Sequence, residues 1–284
     1  MGRDQLRTGA FTWLGGFALV VSIVLVGGAT AAPDRGVFAR QVVVDIEGDQ
    51  GTKGRGVARC PRGARAISGG WHMTDPEETG LVTIASRRVG TRRWAVGAIQ
   101  WTSDSFFTHL GPTVYCERGA KRSRPVSATG SVPSGETGRV DATCPKGRKA
   151  VAGGFKVPTT SDLSRGGLPI VSRRVGRRTW RAVVYAPTPE GASVTAYAYC
   201  ARRPGKLRTF VAGKPTRDVG RRTQVRSGRC PKRIGARAGG FAIKDRTAPL
   251  FSIPAIRIDR GVWEVAARNL GGPSTRLRAL AYCH

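Results

Sequence analysis

The sequence predicts an all-β protein made of three homologous antiparallel β repeats. Three observations carry this. A four-part motif recurs three times. Apolar and polar residues alternate with period two in the segments between the motif elements. Each recurrence is bracketed by two cysteines at nearly equal separation.

The motif opens with Cys60-Pro61-Arg62-Gly63, Cys144-Pro145-Lys146-Gly147 and Cys230-Pro231-Lys232-Arg233. A Gly-Gly-aromatic step follows at Gly69-Gly70-Trp71, Gly153-Gly154-Phe155 and Gly239-Gly240-Phe241. Next comes a tryptophan opening an apolar run, at Trp94, Trp180 and Trp263. Each copy closes on Tyr-Cys, at Tyr115-Cys116, Tyr199-Cys200 and Tyr282-Cys283. The Cys-to-Cys separations are 116 − 60 = 56, 200 − 144 = 56 and 283 − 230 = 53. Six cysteines allow 15 pairings. The repeats select Cys60–Cys116, Cys144–Cys200 and Cys230–Cys283, with a ring of bridges between repeats as the alternative.

The strands read from alternation. Trp94, Val96 and Ala98 share one face, as do Trp180, Ala182 and Val184. Val194, Ala196, Ala198 and Cys200 do the same, and so do Leu277, Ala279, Ala281 and Cys283. The cysteine therefore falls on the apolar face. Cys-Pro-Lys-Gly fits a tight turn with Pro second and Gly fourth. Gln41–Ile46 is expected to supply a first strand. The expected divisions are 1–31, 32–118, 119–202 and 203–284. Two arrangements satisfy the pattern: tandem small sandwiches, or one prism with pseudo-threefold symmetry.

Residues 1–31 read as a signal helix. Arg3 and Arg7 precede an apolar run from Phe11 to Val26, and Ala29-Thr30-Ala31 supplies small residues for cleavage after Ala31. An uncleaved anchor is the alternative, and it is the one membrane contact the chain offers. Export to an oxidising compartment agrees with paired cysteines. The expected location is secreted, extracellular or cell-envelope associated.

Charge is the strongest compositional signal. The chain carries 48 Lys+Arg against 18 Asp+Glu, a net +30. Loss of Arg3, Asp4 and Arg7 would leave about +29. Such a surface attracts polyanions, although an Arg-rich composition also arises without selection for binding. The hairpin Ser86-Arg87-Arg88-Val89-Gly90-Thr91-Arg92-Arg93-Trp94 matches Ser172-Arg173-Arg174-Val175-Gly176-Arg177-Arg178-Thr179-Trp180. The candidate anion-binding residues are therefore Arg87, Arg88, Arg92, Arg93, Arg173, Arg174, Arg177 and Arg178, with Arg257 and Arg260 in the thinner third copy. Arginine recognises phosphate and carboxylate through a bidentate fork. The competing account makes these charges an edge-blunting device and the tryptophans core.

No catalytic set recurs. The histidines His72, His109 and His284 fall outside the repeat pattern. Asp45, Glu47 and Asp49 alternate on one expected solvated face, and Asp75, Glu77 and Glu78 lie in one loop. No cofactor, metal site or specific nucleic-acid motif is expected, and the chain does not read as an enzyme. The expected role is a non-catalytic binding protein of the envelope that holds an anionic polymer or other polyanion. The alternative is a structural or adhesive protein-binding module using Trp101, Phe106 and Phe107. An exported hydrolase ranks below both.

The Cys-Pro-x-Gly, Gly-Gly-aromatic, Trp and Tyr-Cys pattern resembles repeats of secreted actinobacterial proteins of unknown function, over nearly the whole chain after residue 31. The resemblance implies export and no known activity. Arg233 and Pro254-Ala255-Ile256 depart from it. Vitelline membrane outer layer protein is a more distant analogy, through its three repeated β units arranged as a prism.

Overall fold

The computed structural model describes residues 36–73, 80–102, 106–202, 204, 207–215, 222–231, 235–243, 251–252, 255–257, 261–269 and 275–283. The signal segment, Asp75, Glu77, Glu78, Arg260 and His284 lie outside them. Every regular element among the described residues is a β-strand.

Segment 1 (32–118) holds β1 (Phe38–Gln41), β2 (Val44–Gly48), β3 (Lys53–Arg59), β4 (Ala64–Met73), β5 (Leu81–Val89), β6 (Arg93–Gln100) and β7 (Phe106–Arg118). Segment 2 (119–202) holds β8 (Arg124–Val132), β9 (Thr137–Thr143), β10 (Arg148–Lys156), β11 (Leu168–Val175), β12 (Thr179–Tyr185) and β13 (Ala192–Arg202). Segment 3 (203–284) holds β14 (Arg208–Pro215), β15 (Arg222–Arg226), β16 (Ala236–Ile243), β17 (Phe251–Ser252), β18 (Ala255–Arg257), β19 (Trp263–Asn269) and β20 (Arg276–Cys283).

These strands form three antiparallel sheets, and each sheet takes strands from two segments. The first runs β1-β7-β4-β18-β19-β15, with β2 on β7 and β17 on β19. The second runs β3-β6-β5-β10-β13-β8, and the third β14-β20-β16-β11-β12-β9. Each segment thus contributes one group of strands to each of two sheets, and the two groups pack together as a small sandwich. Edge strands then pair across three seams. Ser86 pairs with Phe155, Ser172 with Phe241, and Ala255 with Trp71. The last seam returns segment 3 to segment 1, so the arrangement closes on itself.

Each sandwich carries its own disulfide: Cys60–Cys116, Cys144–Cys200 and Cys230–Cys283, with Cα separations of 5.7, 5.6 and 5.9 Å. The first cysteine follows a strand of one layer and the second sits within the other layer, so every bridge staples two layers. Three intramolecular disulfides agree with an oxidising, extracellular environment.

The glycine pairs are explained by what lies against them. A Cβ on Gly69, Gly153 or Gly239 would collide with the indole of Trp94, Trp180 or Trp263 respectively. Each first glycine therefore lets an indole lie directly on the backbone of the facing layer. The second glycine serves the seam: a Cβ on Gly154 or Gly240 would strike the carbonyl of Ser86 or Ser172. The aromatics that follow meet at the centre. Trp71, Phe155 and Phe241 make three edge-to-face contacts with centroids 6.0 to 6.2 Å apart.

Two local expectations shift. The turn starts one residue later than expected, with Pro61 and Pro145 first and Gly63 and Gly147 third, at φ +79° and +82°. Hydrogen bonds Ala64 N to Pro61 O (3.2 Å) and Arg148 N to Pro145 O (3.1 Å) close it. The first cysteine N–H is instead spent on the hairpin, to Arg92 O and Arg178 O at 2.8 Å each. Gln41–Ile46 is not one strand either. Pro112 on β7 has no N–H to offer, and the ladder breaks there into β1 and β2. Only Val42 N to Pro112 O (3.1 Å) spans the gap.

Candidate functional site

The arginine hairpins form where expected. Val89 pairs with Arg93, leaving Gly90-Thr91-Arg92 as the loop, and Val175 pairs with Thr179 around Gly176-Arg177-Arg178. Gly90 and Gly176 take φ of +69° and +64°, which favours glycine. Strand alternation then divides the arginines. Arg88 pairs with Trp94 and Arg174 with Trp180, which places both on the inward side.

There they are consumed by structure. The Arg88 guanidinium stacks 4.3 Å from the ring centroid of Tyr199, across the seam. It donates to Ser123 Oγ (2.6 Å), Ser123 O (2.9 Å) and Ala66 O (3.3 Å), and its backbone N–H donates to Tyr199 Oη at 2.5 Å. Arg174, only 9% exposed, repeats this at the next seam. It lies 4.7 Å from the Tyr282 centroid and donates to Thr209 Oγ1 at 2.7 Å, while its N–H donates to Tyr282 Oη at 2.8 Å. Burial lowers the pKa of both arginines, and the same burial raises Tyr199 and pushes Tyr282 up to about 12. Each phenol therefore stays neutral as the acceptor of a backbone N–H. Arg92 donates from Nε (3.1 Å) and Nη2 (2.8 Å) to Cys60 O, and Arg178 Nε donates to Cys144 O at 2.9 Å. Arg257 pairs with Trp263, the register place of Arg88 and Arg174. Its side chain lies outside the described residues.

A measurable contrast follows. Arg174→Met should cost about 1–2 kcal/mol, because it removes the guanidinium stacked on the Tyr282 ring and its bond to Thr209 Oγ1, while the backbone N–H to Tyr282 Oη survives. The exposed Arg177→Ser should cost less than about 0.5 kcal/mol. Chemical denaturation of the two variants separates them.

The exposed cations lie together for a topological reason. β5 runs towards its hairpin, β10 starts just after the Cys-Pro turn, and the two pair antiparallel. Hairpins, Cys-Pro turns and Tyr-Cys strand ends are thereby gathered at one end of the molecule. Among the described residues, three acids lie near that end, and each is paired with an arginine. Glu117 meets Arg237 through two contacts (2.7 and 2.6 Å), Asp141 meets Arg181 at 2.7 Å, and Glu264 meets Arg226 at 3.0 Å. The Arg181 bond holds the Asp141 carboxyl below its ordinary range.

Arg122, Arg124, Arg177 and Arg178 of segment 2 are exposed without such a partner, and segment 1 adds Arg59, Arg62, Arg65 and Arg93. Arg59 pairs directly opposite Arg93 in the β3–β6 ladder. Like charges at opposed positions destabilise a sheet unless something neutral or anionic separates them. The matching pair in segment 2 is Thr143 with Thr179, joined by a 3.0 Å hydroxyl contact. Among Arg59, Arg62, Arg65 and Arg93, the sequence reading found Arg93 alone. Arg59 precedes Cys60, and knowing that β3 pairs with β6 would have found it. Arg87 lies half-buried, 5.5 Å from the Tyr197 centroid, and Arg173 is half-buried as well.

Among the described residues, His109, His72 and the Asp45 group do not join this cluster. His109 Nδ1 lies 2.6 Å from Asp45 Oδ1, and Asp45, Glu47 and Asp49 are all exposed near the opposite end. His72 packs over Gly111, contacts Gln41 at 3.2 Å, and burial lowers its pKa. Compared with known proteins, the chain matches no family model and no curated protein at a significant level.

Proposed function

We propose that the chain is an exported, non-catalytic protein of the cell envelope that holds an anionic polymer at its cystine-bearing end. In this reading residues 1–31 are the export signal. The three segments are homologous repeats set around a pseudo-threefold axis as one closed prism, and their shared motifs serve that architecture. The observation that carries the function is the Arg59–Arg93 pair. It opposes two exposed charges at an end where every described acid is already committed to an arginine. A polymer bearing phosphate or carboxylate would relieve that repulsion through charge-assisted hydrogen bonds. Affinity would be dominated by counterion release.

The test is binding of residues 32–284 to polyphosphate and to purified cell wall across a salt series. Log affinity should fall linearly with log salt. Changing Arg59, Arg62, Arg65 and Arg93 to Ser should weaken binding on the order of a hundredfold at low salt. A control with Lys53, Arg139, Lys214 and Arg276 changed to Ser has the same net charge. Equal losses in the two variants would sink the site and leave only bulk charge. A second reading, a protein-binding module, rests on Phe107, which is 52% exposed. It takes over if neither polymer binds.

A further inference from the structure

The three seams are built alike, with one exception. At the first, Trp94 Nε1 donates to Ser86 Oγ at 2.9 Å. At the second, Trp180 Nε1 donates to Ser172 Oγ at 3.0 Å. Both serines pair with the aromatic of the following Gly-Gly step, Phe155 and Phe241. At the third seam that register position, opposite Trp71, is Ala255, which carries no hydroxyl. Trp263, the counterpart of Trp94 and Trp180, is 2% exposed, and its Nε1 has no hydrogen-bond partner among the described residues. Trp71 Nε1, 3% exposed and on the same seam, is also unpartnered.

Both indoles border a central cavity of about 20 Å³, which Ser86 and Ser172 also line. A buried water needs roughly 10–15 Å³ of such space and two to four polar partners. Leaving an N–H unpaired in an interior is costly, and two stand at this one seam. We infer that the seam between segments 3 and 1 binds a single water molecule in place of the serine hydroxyl it lacks. The water accepts from Trp263 Nε1 and from Trp71 Nε1. These two donors meet the minimum of two polar partners that a buried water requires. The site is selective by geometry: it offers donors in an aromatic cage with room for one small neutral molecule.

High-resolution crystallography of the wild type and of Ala255→Ser tests this. The wild type should show a density peak within hydrogen-bond distance of Trp263 Nε1, and magnetic relaxation dispersion should count one long-lived internal water there. Ala255→Ser should lose both signals and melt roughly 2–4 °C higher, since a direct bond replaces a bridged one. Trp263→Phe should also lose the water, and it serves if the serine variant does not fold. An empty wild-type cavity that takes up xenon would overturn the inference. So would a peak that persists unchanged in Ala255→Ser or Trp263→Phe.

Discussion

Gly153→Ala should destabilise the protein by at least about 3 kcal/mol, lowering its melting temperature by roughly 6–12 °C. The added Cβ would lie well inside the 3.0 Å that real Cβ atoms keep, against the Trp180 indole and against the backbone carbonyl of Tyr197. Neither neighbour can yield. Trp180 is 1% exposed and bonded to Ser172, and Tyr197 belongs to a strand paired on both sides. Gly147→Ala provides the contrast. Nothing lies within 4 Å of its Cβ, so only its φ of +82° is disfavoured, a cost of about 1–2 kcal/mol. Calorimetry of both variants decides the point. Equal melting temperatures would mean that the indole does not rest on the glycine.

Removing the middle disulfide, as Cys144→Ala with Cys200→Ala, should cost about 4 kcal/mol. The bridge closes a loop with a sequence separation of 56, and the chain-entropy model assigns that amount to releasing it. Cα atoms 5.6 Å apart fit an ordinary bridge, so the loss should fall mainly on the unfolded state. Denaturant unfolding with and without reductant measures it. If reductant shifts the wild-type midpoint by no more than the double variant's own drift, the bridge contributes little. The segment 2 bridge is the informative one, because segment 2 adjoins the two serine-bearing seams.

The fold and the candidate site were legible to different degrees. Strands at Trp94, Trp180 and Cys200, the hairpin glycines and the cystine pairs all follow from local alternation and equal spacing, and the structure contains them. Sharing of sheets between segments does not follow. Ser86 meets Phe155 across 155 − 86 = 69 positions, and nothing local encodes that register. For the same reason Arg87 and Arg88 read as equivalent in sequence. Their difference depends on which faces Trp94 across the hairpin and on a tyrosine more than a hundred positions away. A usable signal was present: an arginine opposite a core tryptophan lies on the tryptophan's side of the strand. The exposed cluster around Arg59 was hidden because β3 carries little periodic signal, with Gly54 and Gly56 on its inward face. Those glycines are inward because a Cβ would strike Ile46, Val44 or Pro112.

Closure of segment 3 onto segment 1 also sets a timetable for folding. Two seams join positions 69 apart, since 241 − 172 equals 155 − 86, but the third joins 255 to 71, a separation of 184. Synthesis delivers the chain from its amino end, so β4 must wait for most of the polypeptide before its last neighbour exists. Throughout that interval its outer backbone groups are an open template for any stray strand. The slowest contact to form is thus also the one that ends the chain's vulnerability. Maturation should behave as a single late event, in which the latch between the oldest and youngest parts converts a sticky intermediate into a finished molecule.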